Sequence, residues 1–406
     1  MTAFDEHIAH VDMDAFFVEV ERLGRPDLRR VAVVVGGLGT RGVVSSASYE
    51  ARKCGVTSGM PIVQARRLCP KGRFLAPDHH AYRAASEAVF TVFGSFSPVV
   101  EPVSVDEAFI DIAGLRLVFD SPESVAQAVK VAVRLRTGLP CSVGVASSKL
   151  IAKLASRAAK PDGLLLVPGG TEKAFLHPMP VRALWGVGEA TYARLEELGV
   201  RTVGDLAAYP RETLEGRLGR TLGGYLWNLA NARDDRPVEP GGSVKSLSVE
   251  ETFETDISGA PALEVELLRQ ADRLGSRLRG EGLLAGTVHL KVRFPDFSTI
   301  TRSVTLPGPV DTSHDLYETA ILLLKRTAVG GRPVRLLGLG AGSVVQASRP
   351  LQLGLEQRPW GDVESAVDRI RERFGASAVS RARLAPRSER EAAICQNKAG
   401  TPPGQP

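Results

Sequence analysis

Short apolar runs alternate with amphipathic segments along this chain of 406 residues, and the pattern predicts a protein of mixed strands and helices. Mostly apolar runs of four to six residues are typical of buried strands, and they occur at residues 8–11, 31–35, 109–112 and 141–146. Residues 123–137 instead show helical spacing and end before a glycine. The first 167 residues are therefore predicted to form strands covered by helices.

The pattern changes near residue 168 and again near residue 245. Short helices around a Gly-Val-Gly hairpin are predicted at 184–199, and residues 232–244 have the proline- and glycine-rich composition of a linker. Beyond the linker the chain predicts strands near 247–254, 286–294, 299–305 and 335–345, with helices near 261–280 and 313–329. The order β-α-β-β-α-β is that of a ferredoxin-like sandwich.

The C-terminal part has three further features. Lys291, Arg293 and Arg302 are predicted on central strands of the β-rich unit, where they contact phosphates or form a solvated sheet face. Apolar positions in residues 362–374 predict one more amphipathic helix. Residues 385–406 have the composition of a disordered segment.

Composition places few limits on function. The length suggests two to four domains, and no apolar run approaches the roughly 18 residues needed to cross a membrane. The first residues lack a secretory segment, so a cytoplasmic protein is expected. Four cysteines without a CxxC spacing argue against structural zinc. A net charge of +5 is weakly compatible with nucleic-acid binding.

Three carboxylates follow or precede predicted strands in a way that suggests a cation site. Asp106 and Glu107 lie between two apolar runs, and Asp12 ends the strand at 8–11, beside the backbone carbonyl of Met13. Hard divalent cations such as Mg²⁺ prefer such oxygen ligands. A pair of these ions stabilises both reacting oxygens in phosphoryl transfer. A solvated hairpin tip is the alternative for Asp106 and Glu107.

A second group of residues has the character of a phosphate site. Ser46, Tyr49 and Arg52 lie at the start of a predicted helix, where free N–H groups, the helix dipole and a guanidinium attract anions. Lys160 precedes a proline just beyond another helix. The alternatives are that Arg52 is an ordinary surface arginine and that Lys160 is an ordinary cation at the C-terminal end of a helix. Residues 37–42 match the GxGxxG motif, but they are not predicted to bind a dinucleotide, because a strand follows them where that motif requires a helix.

Four motifs occur in order: DMDAFF at 12–17, SSASYEARK at 45–53, SVDEAF at 104–109 and AKPDG at 159–163. Together they resemble the Y-family of DNA polymerases, DinB type, and the resemblance runs from about residue 8 to about residue 345. It implies an α+β multidomain right-hand polymerase with palm, small fingers, helical thumb and β-rich little finger. The implied boundaries are palm 1–25 and 81–167, fingers 26–80, thumb 168–231, linker 232–244, little finger 245–346 and tail 347–406.

The resemblance also implies the roles of individual residues. Asp12, Asp106 and Glu107 hold two Mg²⁺ ions with the Met13 carbonyl, and Ser46, Tyr49, Arg52 and Lys160 contact the incoming dNTP. Phe17 is the steric gate against ribonucleotides, although a core aromatic is its simpler reading. The expected function is low-fidelity translesion synthesis on primer–template DNA, by a monomer without a proofreading exonuclease.

The tail contains PLQLGLE at 350–356, which resembles the short peptide that binds the sliding clamp. Gln352, Leu353 and Leu355 match that peptide, and Glu356 stands where it has an aromatic residue. Two other classes of function remain: a nucleotidyl cyclase with a palm-like core, and an inactive clamp-bound adaptor. The cyclase would not need the helical and β-rich C-terminal units, and the adaptor should have lost the carboxylates.

Overall fold

The computed structural model describes residues 7–242, 244–327, 329–347 and 359–384. The chain forms two compact units, Met1–Gly242 and Ser243–Pro406, and the division falls inside the predicted linker. The clamp-like peptide at 350–356 and the segment 385–406 lie outside the described residues. Among the helices of the described ranges, none is both long enough and apolar enough to cross a membrane.

The first unit contains eight strands and eleven α-helices within its described residues. In chain order they are β1 (Ile8–Met13), α1 (Phe16–Leu23), β2 (Val33–Gly36), β3 (Val44–Ala47), α2 (Tyr49–Lys53), α3 (Ile62–Leu68), β4 (Arg73–Leu75), α4 (His79–Phe96), β5 (Val100–Pro102), β6 (Glu107–Asp111), α5 (Pro122–Thr137), β7 (Cys141–Ala146), α6 (Lys149–Ala158), β8 (Leu164–Leu166), α7 (Glu172–Leu176), α8 (Glu189–Glu197), α9 (Val203–Ala208), α10 (Arg211–Leu218) and α11 (Arg220–Ala230).

A five-stranded sheet in the order β5-β6-β1-β7-β8 forms the centre of the first unit. β1 pairs antiparallel with both β6 and β7, and its side chains are almost entirely buried. Helix α6 packs against β7 and β1, while α4 and α5 pack against each other. Gly144 on β7 permits this, because a Cβ there would lie 2.1 Å from the carbonyl oxygen of Ala152 on α6. The central strand therefore ends in a close-packed setting.

A second sheet in the order β3-β2-β4 lies between the first strand and the long helix α4 in the chain. β2 and β3 form the expected antiparallel hairpin, so the glycines at 36–42 belong to a turn and no dinucleotide site. Gly42 is required by the turn, since a Cβ there would collide with the carbonyl of Gly37. β4, which pairs parallel with β2, was not predicted.

Residues after β8 form the predicted helical unit. Val181–Ala183 is a 3₁₀ turn, and the hairpin that follows bends at Gly186, where φ is 91°. Gly188 caps α8, and Thr202 caps α9 by a reciprocal pair of hydrogen bonds with Asp205. The hairpin between helical turns is therefore confirmed by the structure.

The second unit has the predicted order of elements. They are β9 (Leu247–Ile257), α12 (Ala260–Gly280), β10 (Leu283–Arg293), β11 (Thr299–Val310), α13 (Ser313–Lys325), β12 (Val334–Gly342), β13 (Val345–Gln346) and α14 (Pro359–Phe374). The sheet order is β11-β10-β12-β9, with α12 and α13 packed on it. Lys291 and Arg293 lie on the interior strand β10, as predicted. The prediction for Arg302 was wrong, because β11 is an edge strand.

The last helix, α14, is fixed to the same unit by buried ion pairs. Glu364 accepts hydrogen bonds from Arg279 on α12 at 2.7 Å and from the backbone N–H of Ser313 at the start of α13 at 2.6 Å. Arg279 also pairs with Asp368 at 2.7 Å, and Arg381 pairs with Glu364 at 2.6 Å. The amphipathic helix predicted at 362–374 is thus present and begins earlier, at Pro359.

Candidate active site

Strand pairing brings the three predicted carboxylates together. Asp12 and Glu107 are directly opposite in the register of β1 and β6, and adjacent antiparallel partners have neighbouring side chains. Asp106 lies in the turn before β6, where its carbonyl accepts the N–H of Met13 at 2.9 Å. The carboxylates therefore come from two strand ends that hydrogen bonds hold in register.

Each of these carboxylates already has a partner. Lys160 Nζ lies 2.7 Å from Asp12 Oδ1 and 3.2 Å from the carbonyl oxygen of Met13. Lys153 Nζ lies 2.6 Å from Glu107 Oε2, and Ser104 Oγ lies 2.5 Å from Asp106 Oδ1. Burial raises the pKa of Asp12, the nearby Lys160 acts in the opposite direction, and the charges of Asp106 and Glu107 raise it further. The site is thus strongly negative and partly neutralised by lysines.

The donor set fits a hard divalent cation, since it consists of carboxylate and carbonyl oxygens. The Lys160 ammonium rests on Asp12 and on the Met13 carbonyl, so a positive charge is already stabilised at these two ligands. Within the described ranges, however, no three His, Cys, Asp or Glu side chains are already gathered as a metal site. Lys160, Lys153 and Ser104 each contact one of the three carboxylates.

His10, two residues before Asp12, is buried beside the same cluster. Its Nδ1 lies 2.7 Å from Ser156 Oγ, and its Nε2 lies 3.7 Å from Glu107 Oε2. Burial, followed by the charges of Lys153 and Lys160, holds the pKa of His10 well below its usual value. The imidazole is therefore neutral near pH 7, and Lys153 is the charged partner of Glu107. The sequence analysis identified neither His10 nor Lys153 as a site residue. The contact between Lys153 and Glu107 depends on how α6 packs against the sheet.

Asp14 is the other residue that the sequence analysis missed. It is buried, with 1% of its surface exposed, and its carboxylate accepts hydrogen bonds from Ser142 Oγ and from the backbone N–H of Asp162. The Tyr49 hydroxyl donates to it at 2.7 Å. Its place in the DMDAFF motif was the only available signal. Lys160 Nζ, which contacts Asp12 and the Met13 carbonyl, also lies 3.7 Å from Asp14 Oδ1, so Asp14 is linked to the proposed cation ligands through this lysine.

Three of the four predicted phosphate-binding residues, Ser46, Arg52 and Lys160, line one pocket together with Asp12 and Asp106. The pocket measures about 120 Å³, and its lining includes residues of both groups: Asp12, Met13, Phe17, Ser46, Arg52, Asp106 and Lys160. Arg52 is exposed, and its Nε donates to the carbonyl of Ala47 at 2.9 Å while the guanidinium lies 4.8 Å from the centre of the Tyr49 ring. Tyr49 and Glu107 do not line the pocket in the described structure; Tyr49 turns to Asp14.

Phe17 is half-buried at the edge of this pocket. Its ring stacks on Tyr82 of α4, with centroids 4.2 Å apart and planes inclined by 11°. His79 lies at a right angle to Phe17, 6.5 Å away. The ring is therefore held by α4 while one side lines the pocket, which a wholly buried core aromatic would not do.

Comparison with known proteins agrees with this architecture. The impB/mucB/samB family matches residues 11–157, and the C-terminal domain of that family matches residues 244–355. A third match, at residues 182–234, is described as the thumb domain of DNA polymerase-iota.

Full-length relatives are also similar. The DNA polymerase IV of Desulfatibacillum aliphaticivorans is 42% identical over 93% of this chain and 96% of its own length. The DNA polymerase IV of Streptomyces coelicolor is 48% identical over 83% of this chain and 71% of its own length.

Two solved structures show the same fold. A Y-family polymerase chimera of Dbh and Dpo4 has a TM-score of 0.77 at 24% identity, and covers 84% of this chain and 99% of its own. An insertion ternary complex of Dbh DNA polymerase has a TM-score of 0.61 with the same identity and coverage. The α+β right-hand architecture predicted from the sequence is thus confirmed.

Proposed function

The chain belongs to the impB/mucB/samB family of Y-family polymerases, among relatives named DNA polymerase IV, and on that premise we propose which of its residues carry out the reaction. Its activity is that of a DNA-directed DNA polymerase, which extends a primer 3′ end with dNTPs and serves translesion synthesis. The observation that supports the site assignment is the pocket that Asp12, Asp106, Phe17, Arg52 and Lys160 line together.

The family is dependent on divalent metal, and we propose two Mg²⁺ ions as the cofactors. Asp12 and Asp106 would hold both ions, Glu107 the ion nearer the primer, and the Met13 carbonyl the ion at the triphosphate. When bound, the ions neutralise charge on the attacking and leaving oxygens of the phosphoryl transfer.

The protein side of the mechanism is mainly positioning and charge. The hydrogen bond from the Met13 N–H to the Asp106 carbonyl and the pairing of β1 with β6 keep the carboxylates in register. Lys160, Arg52 and Ser46, which line the pocket, and the neighbouring Tyr49 are proposed to receive the triphosphate, because they offer positive charge and hydrogen-bond donors. Such a preorganised set stabilises developing charge without reorganisation during the reaction.

Phe17 is proposed to select deoxyribonucleotides. Its ring lines the pocket and Tyr82 stacks against its other face, so the ring cannot retreat without breaking that stack. A ribose 2′-hydroxyl would then meet a fixed aromatic surface. The stack on Tyr82 and the position of the ring at the pocket favour the steric-gate role over a core role.

Domain assignment and partners are proposals of the same kind. The palm, fingers, thumb and little finger boundaries are supported by the two sheets of the first unit, the helices after β8 and the separate second unit. Primer–template DNA and dNTPs are the substrates. The sliding clamp as a partner, a monomeric state and a cytoplasmic location are proposed. The cyclase and adaptor alternatives are not favoured, since the relatives that match 93% and 83% of the chain are named DNA polymerase IV.

The test is primer extension with Mg²⁺ by the Asp106→Asn variant. Loss of a ligand charge should abolish extension while leaving thermal unfolding and primer–template binding close to those of the unaltered protein. Asp111→Asn is the matched control, because Asp111 ends the same strand β6 and accepts the N–H of Ala113. Near-normal turnover of Asp106→Asn would contradict the assignment.

A further inference from the structure

Lys153 is a charged residue on a helix that packs against the central five-stranded sheet, and no sequence motif singled it out. It lies in the middle of α6, which approaches β7 closely at Gly144. This packing directs its side chain to the start of β6, where Nζ lies 2.6 Å from Glu107 Oε2. Both side chains are partly accessible, at 28% for Lys153 and 20% for Glu107. The pair therefore sits at the open edge of the carboxylate cluster.

The Lys153 ammonium has two favourable places within reach. One is the Glu107 carboxylate; the other is the face of Trp185, whose ring centre lies 5.3 Å from Nζ. Lys153 and Trp185 also line a cavity of about 300 Å³ together with Arg157 and Arg182. A lysine ammonium is a compact charge on a flexible stem, and an indole face attracts it. In its observed conformation Nζ thus contacts Glu107 and already lies near the Trp185 face, which would continue to attract the ammonium if the contact with Glu107 were lost.

A second lysine pair, one turn earlier on the same helix, has a different character. Lys149 Nζ lies 2.5 Å from Glu101 Oε2 and 3.2 Å from the carbonyl of Pro237, and only 7% of its side chain is exposed. Glu101 also accepts the backbone N–H of Glu239. The two lysines differ in burial, since Lys149 is 7% exposed and Lys153 is 28% exposed, whereas their carboxylate partners are similarly accessible. Lys149 is also held by a second protein acceptor, the Pro237 carbonyl, so we take its pair as structural.

We propose that Lys153 is the resident counter-ion of Glu107 and that the cation nearer the primer displaces it. The inference rests on the proposed function, because it takes Glu107 as a ligand of that cation. A divalent ion and an ammonium compete for the same carboxylate, since each is attracted by its charge. Lys160 makes the corresponding contact with Asp12, so two of the three carboxylates each have a lysine partner. Lys153 is thereby a positioning residue that tunes cation affinity.

Two roles of Lys153 predict opposite changes in cation affinity when its charge is removed. In one the cation displaces Lys153 from Glu107; in the other Lys153 stays and orients Glu107. If Lys153 competes with the cation, removing its charge strengthens cation binding. If Lys153 stays on Oε2 and orients Glu107, removing it weakens cation binding, because outer-sphere partners of metal ligands usually support affinity. The sign therefore decides between the two roles.

The probe is Mn²⁺, titrated into the full-length protein with a dideoxy-terminated primer–template and a dNTP, and the free ion is followed by electron paramagnetic resonance. Lys153→Gln should bind Mn²⁺ roughly tenfold more tightly, the order expected when a unit charge near a divalent cation is removed at an accessible site. Lys153→Arg, which keeps the positive charge, should bind Mn²⁺ as tightly as the unaltered protein does. Lys149→Gln is the control and should lower thermal stability without changing the Mn²⁺ titration.

The outcomes are distinguishable. Weaker Mn²⁺ binding by Lys153→Gln, or binding equal to that of Lys149→Gln, overturns the exchange. A loss of DNA affinity in fluorescence anisotropy with an unchanged Mn²⁺ titration also overturns it, because Lys153 would then contact the DNA backbone. Asp106→Asn separates the two levels of inference: if it leaves the titration unchanged, the site assignment itself fails and the exchange with it. If Asp106→Asn removes binding while Lys153→Gln has no effect, only the exchange fails.

Discussion

The hydroxyl of Tyr49 donates a 2.7 Å hydrogen bond to Oδ1 of Asp14, which joins the start of α2 to the end of β1. Asp14 also accepts from Ser142 on β7 and from the N–H of Asp162, two residues beyond Lys160. Burial, followed by this hydrogen bond, raises the pKa of Tyr49, so its hydroxyl remains a donor at neutral pH. One buried carboxylate thus connects α2 to β7 and to the segment that carries Lys160.

Removing the Tyr49 hydroxyl should loosen the attachment of α2 to the end of β1. Tyr49→Phe is expected to lower the free energy of unfolding by about 1–3 kcal/mol, the range for a hydrogen bond to a charged group. It should also raise KM for dNTPs, because Asp14 no longer fixes α2. Urea unfolding and steady-state extension measure the two effects. Tyr192→Phe, which removes an exposed hydroxyl 3.2 Å from Glu196, is the control, and an equal loss there would refute the argument.

Sugar selection should depend on the Phe17 ring. Overpacking of a close-packed site costs about 1–3 kcal/mol, so a 2′-hydroxyl against the ring accounts for one to two decades of preference. Phe17→Ala is therefore expected to raise ribonucleotide incorporation at least roughly tenfold with dNTP use much less changed. The measurement is kcat/KM for dCTP and CTP opposite template G.

The control for Phe17 is another half-buried aromatic on a helix. Phe90 of α4 packs against Phe93, with ring centroids 5.4 Å apart, and does not line the pocket. Phe90→Ala should lower stability without altering the dCTP-to-CTP ratio. If Phe17→Ala leaves that ratio unchanged as well, Phe17 is a core aromatic only.

Stimulation by the sliding clamp should depend on the peptide at 350–356. Replacing Gln352, Leu353 and Leu355 with alanine is expected to leave distributive synthesis unchanged and to remove clamp stimulation. Glu356→Phe restores the aromatic of the peptide pattern and should increase stimulation, because the ring adds apolar contact area. Stimulation that survives the triple substitution would move the contact elsewhere, with α14 the next segment to test.

The ion pairs of α14 should contribute strongly to the second unit. Arg279 is 10% exposed between Glu364 and Asp368, and removal of one partner from a buried pair typically costs about 3–5 kcal/mol. Arg279→Met should therefore destabilise this unit in urea unfolding. Arg273 on the same helix pairs with Glu251 at the surface, so Arg273→Met should change stability by about 1 kcal/mol or less. Similar losses in both variants would show that burial does not matter here.

The sequence predicted most of the architecture because its elements obey local rules. β7 and the order of elements in the second unit follow from alternating and helical apolar spacing, and their bounds agree closely with the structure. The short strand β4 escaped prediction because three residues carry too little pattern. Arg302 was placed on a central strand because chain order does not determine the order of strands within a sheet.

Tertiary packing determines what the sequence did not reveal about the site. Asp12, Asp106 and Glu107 were found because each interrupts an apolar pattern at a strand end. Asp14 and Lys153 were missed, since a buried carboxylate in a turn and a lysine in the middle of a helix look ordinary in one dimension. Their roles depend on partners 128 and 46 residues away in the chain.

The clamp-like peptide lies in the chain between two segments that are both attached to the second unit. Ala347 donates a 2.8 Å backbone hydrogen bond to Gly282, which lies just beyond helix α12, and Glu364 pairs with Arg279 in the last turn of α12. A fully extended chain from residue 347 to 359 spans at most roughly 40 Å, so a loop that returns to its anchors reaches about half that distance. A clamp bound at 350–356 would therefore stay beside the second unit, at a high effective concentration for further contacts with its surface.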